Sequence, residues 1–238
     1  MNSIILFMII ILIASILQTS TGFGFSILAT PFLLLLFNPQ DAIQINLILT
    51  LITSVVFIAK IRKDIDFDLL KNFVVGSVLG LPAGIAIFLT LRLDLLKIGL
   101  GILLLILTFL LIKNFRVKQT KTRDILVGGC SGILTSSIGM SGPPILLYFS
   151  GTDTNKEKLR ATTLAYNMFI YLISLLAQTF TAGTTATTWI FSAIALPFVL
   201  LGLYLGQLLF LRIDQKTFRI FTYVILISTG VYLLVSSM

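Results

Sequence analysis

Long apolar runs constrain this chain more than any other feature of its sequence. Eight of them occupy residues 4–17, 42–59, 73–91, 95–112, 125–138, 161–180, 189–211 and 218–235, and two shorter runs lie at 25–37 and 144–149. A helix needs about 20 apolar residues to cross the hydrocarbon core of a bilayer. With 57% hydrophobic residues, 11% charged residues and a mean hydropathy of +1.08, the composition excludes a soluble domain. The sequence therefore predicts an all-α polytopic membrane protein.

The basic residues predict which loops face the cytoplasm. The chain has a net charge of +8, and its Lys and Arg side chains cluster at residues 60–71, 113–123, 156–160 and 212–219. If these loops are cytoplasmic, only Arg92 and Lys97 lie outside, in agreement with the positive-inside rule. The positive charge then reflects topology and not nucleic-acid binding. We expect a multi-pass protein of the cell (plasma) membrane with both termini outside the cytoplasm.

Two segments of the sequence repeat each other. "TGFGFSILATPFLLLLF" from Thr21 resembles "SIGMSGPPILLYF" from Ser137, and "LRLD" at 91–94 matches "LRID" at 211–214. These matches divide the chain into an N-terminal repeat (1–115), a basic cytoplasmic linker (116–124) and a C-terminal repeat (125–238). Each half is expected to hold a broken Gly-rich helical hairpin plus three transmembrane helices. The odd number of crossings turns the second half over, giving inverted-topology repeats such as secondary transporters use.

Three glycine pairs at helical spacing predict close helix contacts. They are Gly80 and Gly84, Gly128 and Gly132, and Gly202 and Gly206. Such small residues let helix backbones approach closely in membranes, either within one protomer or across a homodimer. The sequence leaves both alternatives open.

The Gly-x-Ser-Gly pattern at residues 139–142 suggests the nucleophile of an intramembrane hydrolase. Ser141 would need a base to take its proton. The chain has no histidine, its lysines lie at or near membrane boundaries, and the first repeat has no serine at the aligned position. We therefore predict a protein that is not an enzyme and that has no catalytic residue, metal site or cofactor.

The glycine-rich breaks instead predict an anion-binding site. A helix that begins inside the bilayer has unpaired backbone N–H groups at its first turn, and these are costly in hydrocarbon unless an acceptor is present. The positive end of the helix dipole lies at the same place and also favours an anion. Two half-helices beginning near Gly24 and Gly142 would supply such donors close to the midplane. Asn46 and Asn167 are polar residues inside spans, where such groups face a bundle interior or cavity and either bond a neighbouring helix or contact substrate. Arg160 has the pattern of a membrane-surface anchor, or alternatively could gather anions at an inner vestibule. The expected substrate-binding residues are Thr21, Gly22, Phe23, Gly24, Phe25, Ser26, Asn46, Ser137, Gly139, Met140, Ser141, Gly142, Pro143, Arg160 and Asn167.

Four segments of the sequence carry a resemblance to a known family: the hairpin "TGFGFSILATPFLLLLF", its partner "GMSGPPILLYF", the helix start "KLRATT" and the late "LRxD" corners. With these segments the chain resembles the sulfite exporter TauE/SafE family of membrane transporters. The resemblance covers nearly the whole chain. The second motif of the family is usually closer to Gly-x-Gly-Gly-Pro-Pro, so Ser141 stands where glycine is more usual. The resemblance implies export of a small anion such as sulfite, an organosulfonate or another sulfur-containing organic anion, with the lipid bilayer as surroundings. Uptake of a sulfonate or other small anion, and a membrane assembly or sensor role without transport, are the alternatives.

Overall fold

The computed structural model describes residues 2–90, 93–113, 116–152, 154–212 and 215–235, which form helices and short connections. The N-terminal half contains α1 (Asn2–Thr21), α2 (Gly24–Leu36), α3 (Pro39–Ile61), a short 3-10 helix (Arg62–Asp64), α4 (Phe67–Thr90) and α5 (Leu93–Ile112). The C-terminal half contains α6 (Lys121–Ile138), α7 (Gly142–Gly151), α8 (Lys156–Ala182), α9 (Ala186–Arg212) and α10 (Gln215–Val235). The described part of the chain contains no strand. The predicted all-α architecture is confirmed.

Each of the eight predicted apolar runs falls within a helix wherever it is described. Five stretches reach the length and hydropathy of a membrane span in the described residues: Ile4–Thr21, Pro39–Asp64, Phe67–Thr90, Lys156–Ala182 and Ala186–Arg212. The multi-pass membrane prediction is therefore confirmed. Residues 91 and 92 of the "LRLD" corner and residues 213 and 214 of the "LRID" corner lie outside the described residues. Met1 and residues 236–238 also lie outside them.

Matching caps begin the third helix of each half. The side chain of Asn38 accepts a hydrogen bond from the Asp41 N–H at 2.9 Å, and that of Asn155 accepts one from the Lys158 N–H at 2.9 Å. Each cap satisfies one N–H group that has no partner inside its helix. Pro39 follows the first cap and occupies the first helical turn, where it has no N–H bond to lose.

The core of the molecule lies around α3 and α8, which pack against each other. Their apolar stretches are 67% and 72% buried, whereas those of α4 and α9 are 33% buried. Helices of the two halves pair in a reciprocal way: α4 packs mainly on α6, α1 on α9, and α5 on α10. This arrangement places both hairpins, α1–α2 and α6–α7, beside the central pair.

The glycine pairs form close helix contacts within the chain. A Cβ atom added at Gly80 would overlap the carbonyl of Gly129, and one added at Gly206 would overlap the carbonyl of Ile16. Similar overlaps would occur at Gly84, Gly128, Gly132 and Gly202. The contacts join α4 to α6 and α1 to α9. These small-residue faces are therefore covered inside one protomer and are not exposed for a homodimer.

Candidate functional site

Two glycines with left-handed backbone geometry interrupt the hairpins. Gly22 ends α1 with a φ of +90°, and Gly139 ends α6 with a φ of +74°. A residue with a Cβ atom rarely adopts these angles, so glycine is required at both positions. The next helices begin at Gly24 and Gly142, where the sequence predicted the two half-helices.

The two interruptions touch each other in the core. A Cβ atom added at Gly142 would lie 2.9 Å from the Cβ atom of Phe23 and 3.3 Å from its carbonyl oxygen. Phe23, Gly24 and Gly142 are all buried. Two breaks that are 117 residues apart in sequence, counted from Gly22 to Gly139, thus form one buried site.

Asn46 and Asn167 each bind the break that belongs to the other half. Asn46 on α3 donates its Nδ2–H to the carbonyl oxygen of Gly139 at 2.7 Å. Asn167 on α8 donates its Nδ2–H to the carbonyl oxygen of Gly22 at 3.2 Å, and its Oδ1 accepts the Ser141 hydroxyl proton at 2.7 Å. Both asparagines are at most 1% exposed. They satisfy carbonyl groups that the helix ends leave without a partner inside the helix.

Tyr171 joins the two interruptions, although the sequence analysis did not select it. Its hydroxyl oxygen lies 3.0 Å from the Ser26 hydroxyl and 3.0 Å from the Gly139 carbonyl, and it accepts the Ser141 backbone N–H at 3.3 Å. Tyr171 is one helical turn after Asn167, so both side chains lie on the same face of α8. That spacing was the only signal in the sequence.

Side chains of the protein accept the N–H groups that begin the half-helices. The Gly24 N–H donates to Thr21 Oγ1 at 3.1 Å, and the Phe25 N–H donates to Gln18 Oε1 at 3.0 Å. Gln18 was not among the predicted residues because its contact spans seven residues across the break. Backbone N–H groups near the starts of both half-helices therefore donate to oxygen atoms. In an anion site the anion would supply these oxygens, whereas in this structure side chains of the protein supply them.

The remaining predicted residues occupy different positions around this centre. Met140 and Pro143 are buried beside Ser141. Ser137 donates its hydroxyl to the Ile133 carbonyl at 2.6 Å, so the hydroxyl is directed toward its own helix. Arg160 is adjacent to the first break: a Cβ atom added at Gly22 would lie 3.0 Å from the Arg160 Cα atom.

Arg160 is a buried cation with few polar partners. Its side chain lies between the aromatic rings of Phe57 and Phe210, with centroid distances of 5.1 and 4.0 Å, and its Nη2–H donates to Gln207 Oε1 at 2.6 Å. Only 3% of the residue is exposed, and its Nε–H has no hydrogen-bond partner among the described residues. In the described residues Arg160 forms no ion pair within 4.0 Å. The carboxylates of Asp64 and Glu157 act on the guanidinium only from beyond ion-pair distance, so its positive charge next to Gly22 is partly compensated.

Buried polar atoms that have no hydrogen-bond partner among the described residues are concentrated on α1, α2, α3 and α8. These helices carry eleven of them: Gln18 Nε2, Thr19 Oγ1, Thr30 Oγ1, Gln44 Oε1, Asn46 Oδ1, Thr50 Oγ1, Arg160 Nε, Thr163 Oγ1, Tyr166 OH, Ser174 Oγ and Gln178 Oε1. Buried polar groups in proteins normally have a hydrogen-bond partner, so such a set is characteristic of a site that handles a polar ligand or water.

The partners of Ser141 do not make it a nucleophile. Its hydroxyl binds the amide oxygen of Asn167 and lies 3.3 Å from the Tyr171 hydroxyl. An amide oxygen does not take up a proton at neutral pH, and a nucleophilic serine needs a neighbouring base. The hydroxyl fixes the second break in position.

Comparison with known proteins identifies the family. No curated protein and no solved structure matches the chain. A sequence profile described as sulfite exporter TauE/SafE matches residues 7–233, which include both hairpins and all ten helices at least in part. The chain therefore belongs to the sulfite exporter TauE/SafE family.

Proposed function

We propose that this chain exports a small anion, with sulfite or an organosulfonate as the substrate, across the plasma membrane. Its membership of a family that implies membrane transport of sulfur-containing anions supports the proposal. The contact between the two hairpin breaks in the buried core is the observation that carries the proposal. In this proposal the anion binds between the first turns of α2 and α7.

The hydrogen bonds at the breaks support an anionic substrate. Three protein oxygens, Thr21 Oγ1, Gln18 Oε1 and Tyr171 OH, accept N–H groups of residues 24, 25 and 141. An oxyanion can accept the same N–H groups once these side chains change rotamer. Helix N-termini bind anions through such donors and through the positive ends of their dipoles.

Arg160 supplies the formal charge in this mechanism. It is buried, makes no ion pair in the described part of the chain and adjoins Gly22. The anion first meets Arg160 near one end of α8 and then reaches the two breaks, where amide and hydroxyl groups replace its hydration shell. Gln207 and the rings of Phe57 and Phe210 hold the Arg160 guanidinium in position.

Matching contacts at the two ends of α3 and α8 support inverted repeats that alternate access. At one end, Asp66 caps α4 and binds Lys158 Nζ at 2.7 Å. At the other end, Thr185 caps α9 and donates its hydroxyl to the Asp41 carboxylate. Asp41 and Lys158 occupy the same position after the Asn caps of α3 and α8. In this proposal the Asp66–Lys158 contact breaks when the site opens at that end of α3 and α8, and the Thr185–Asp41 contact breaks when the site opens at the other end.

The membrane potential favours export of an anion. In a cell that is negative inside, each elementary charge gains about 2.3 kcal/mol per 100 mV as the anion leaves. That free energy sustains a concentration ratio of roughly fifty-fold, since about 1.4 kcal/mol corresponds to tenfold. We propose voltage-driven export that does not require exchange for a second ion.

Flux into and out of liposomes that contain the purified chain tests the proposal. Sulfite, sulfate, sulfoacetate and chloride are compared while potassium and valinomycin set the potential. We expect selective flux of sulfite or sulfoacetate that reverses direction when the sign of the potential is reversed. A folded protein that moves none of the four anions, or flux that follows a pH gradient and ignores the potential, would contradict the proposal.

A matched pair of variants links flux to the hairpin breaks. Asn167→Ala removes the hydrogen bonds to Gly22 and Ser141, whereas Asn72→Ala removes a hydrogen bond to Asp124 away from the breaks. We expect Asn167→Ala to lose flux and Asn72→Ala to retain it. Equal flux in the two variants would place the site elsewhere.

A further inference from the structure

A groove between α6 and α7 lies outside the proposed transport site. Its volume is about 670 Å³, and apolar side chains dominate its walls, among them Leu126, Val127, Ile133, Leu134 and Leu147. Pockets that bind small molecules have volumes of about 300–1,000 Å³. Nothing in the proposed transport mechanism uses this groove.

The lining of α6 shows that the groove faces away from the helix bundle. Leu126 is 62% exposed and Cys130 is exposed, whereas Gly128 and Gly132, on another face of the helix, pack against α4. In a membrane protein an exposed apolar face contacts lipid. The groove therefore opens toward the acyl chains of the bilayer.

The length of the groove matches one leaflet. Its α6 wall runs from Arg123 to Leu134, which at 1.5 Å per residue spans about 16 Å. The hydrocarbon core is about 30 Å thick, so one leaflet provides about half of that depth. One acyl chain that lies along α6 would fill the groove from the membrane surface to its midplane.

Basic residues border the surface end of the groove. Arg116 and Arg123 line it, and Lys118 and Lys121 are exposed on the same stretch of chain. Arg123 donates one Nη1–H to the Lys118 carbonyl at 2.9 Å, which uses one of its five N–H groups. The nearby carboxylate of Asp124 is buried and accepts hydrogen bonds from Tyr148 and Asn72. Guanidinium groups bind phosphate in a bidentate manner, and basic pockets at the membrane surface bind anionic headgroups.

We propose that this groove binds an anionic phospholipid, with the phosphate on Arg116 and Arg123 and one acyl chain between α6 and α7. Two basic residues at about 1 kcal/mol each give roughly a 30-fold preference over a zwitterionic phospholipid. Since Pro144 and Leu147 of α7 form one wall, the lipid contacts the half-helix that begins at Gly142.

Cys130, the only cysteine in the sequence, lines the groove and provides a specific probe. The full chain is labelled there with a bimane maleimide and reconstituted with lipids whose acyl chains carry bromine, which quenches the fluorescence. We expect brominated phosphatidylglycerol to quench at about 30-fold lower mole fraction than brominated phosphatidylcholine, as the charge estimate above requires. The Arg116→Gln/Arg123→Gln variant should quench equally with both lipids.

A control variant and a second measurement guard against general charge effects and against interference from the label. Arg62→Gln/Lys63→Gln removes two exposed basic residues that do not line the groove, and it should keep the preference for phosphatidylglycerol. Native mass spectrometry of the unlabelled chain should show phosphatidylglycerol bound to the wild type and to this control, but not to the double-arginine variant. Equal retention of the two lipids by the wild type, or equal loss in both variants, would overturn the proposal.

Discussion

Replacement of Arg160 by glutamine tests the role of the buried charge most directly. For an anion about 5 Å from the guanidinium, Coulomb's law at an effective dielectric constant of about 20 gives about 3 kcal/mol. Since about 1.4 kcal/mol corresponds to tenfold, the loss of this interaction should raise the KM for the anion roughly 100-fold. Glutamine retains hydrogen-bonding capacity toward Gln207 and loses only the charge and the stacking on Phe57 and Phe210.

Lys156 provides the matched control for this experiment. It lies one turn before Arg160, and its Nζ is 4.8 Å from the centroid of the same Phe210 ring, but it pairs with Glu157 at 3.9 Å. In proteoliposomes that take up radiolabelled sulfite, Lys156→Gln should change the KM less than about threefold, because Glu157 pairs with this charge and solvent partly screens it. An unchanged KM in Arg160→Gln, in protein that elutes as a folded species, would refute the reasoning. Equal increases in the two variants would show that only the general surface charge matters.

Three further predictions concern the breaks, the topology and pH. Gly142→Val should abolish flux without loss of membrane insertion, because the valine Cβ atom would lie 2.9 Å from the Cβ atom of Phe23. Gly99→Val should keep normal flux, because no atom lies within 4 Å of a Cβ atom added at that position. Normal flux in Gly142→Val would show that the hairpin contact is only a structural kink. With Cys130 replaced by serine, cysteines at 184 and 237 should react with an impermeant maleimide from outside intact cells, and reaction only after permeabilisation would reverse the topology. Burial alone would raise the pKa of the Asp66 carboxyl, but hydrogen bonds from Lys158 and from the Leu69 N–H outweigh it and hold the pKa below its usual value. A carboxyl with a depressed pKa contributes stability at pH values above the usual carboxyl pKa. The melting-temperature difference between wild type and Asp66→Asn should therefore be constant from about pH 7 to 5 and should shrink below about pH 4. A difference that already disappears between pH 7 and 5 would contradict this assignment.

The helix boundaries at the site could be predicted from local chemistry. Gly22 and Gly139 require left-handed backbone angles, and a new helix follows each of them within three residues. Glycine and proline act on the backbone within a turn, so their effects can be inferred without the fold. The positions of Gly24 and Gly142 follow from that local argument.

The partners of the site could not be predicted because they come from distant parts of the chain. Tyr171 reaches Ser26 across 145 residues, and nothing about a tyrosine in an apolar helix identifies that contact. Arg160 at the start of α8 has the sequence pattern of a membrane-surface anchor, but Phe57 and Phe210 from other helices bury it.

Carboxylates show the same limit of sequence reasoning. Asp41 and Asp124 lie in the first turns of α3 and α6, where an exposed position is usual, yet each is only 3% exposed. Thr185 and Thr188 donate hydroxyl protons to Asp41, and Tyr148 does so to Asp124. Burial of these groups depends on packing between elements that the sequence places far apart.

The reciprocal pairing of α1 with α9 and of α4 with α6 constrains how the protein is made. During synthesis the first half enters the membrane with the α4 face around Gly80 and the α1 face around Ser15 still without the helices that cover them. α1 can pack against α9 only after α9 has been synthesised, and α9 begins at Ala186, which is 165 residues after Thr21. Neither half is a self-sufficient folding unit, so a gene split within the linker should yield function only when both fragments are co-expressed and assemble in the same membrane.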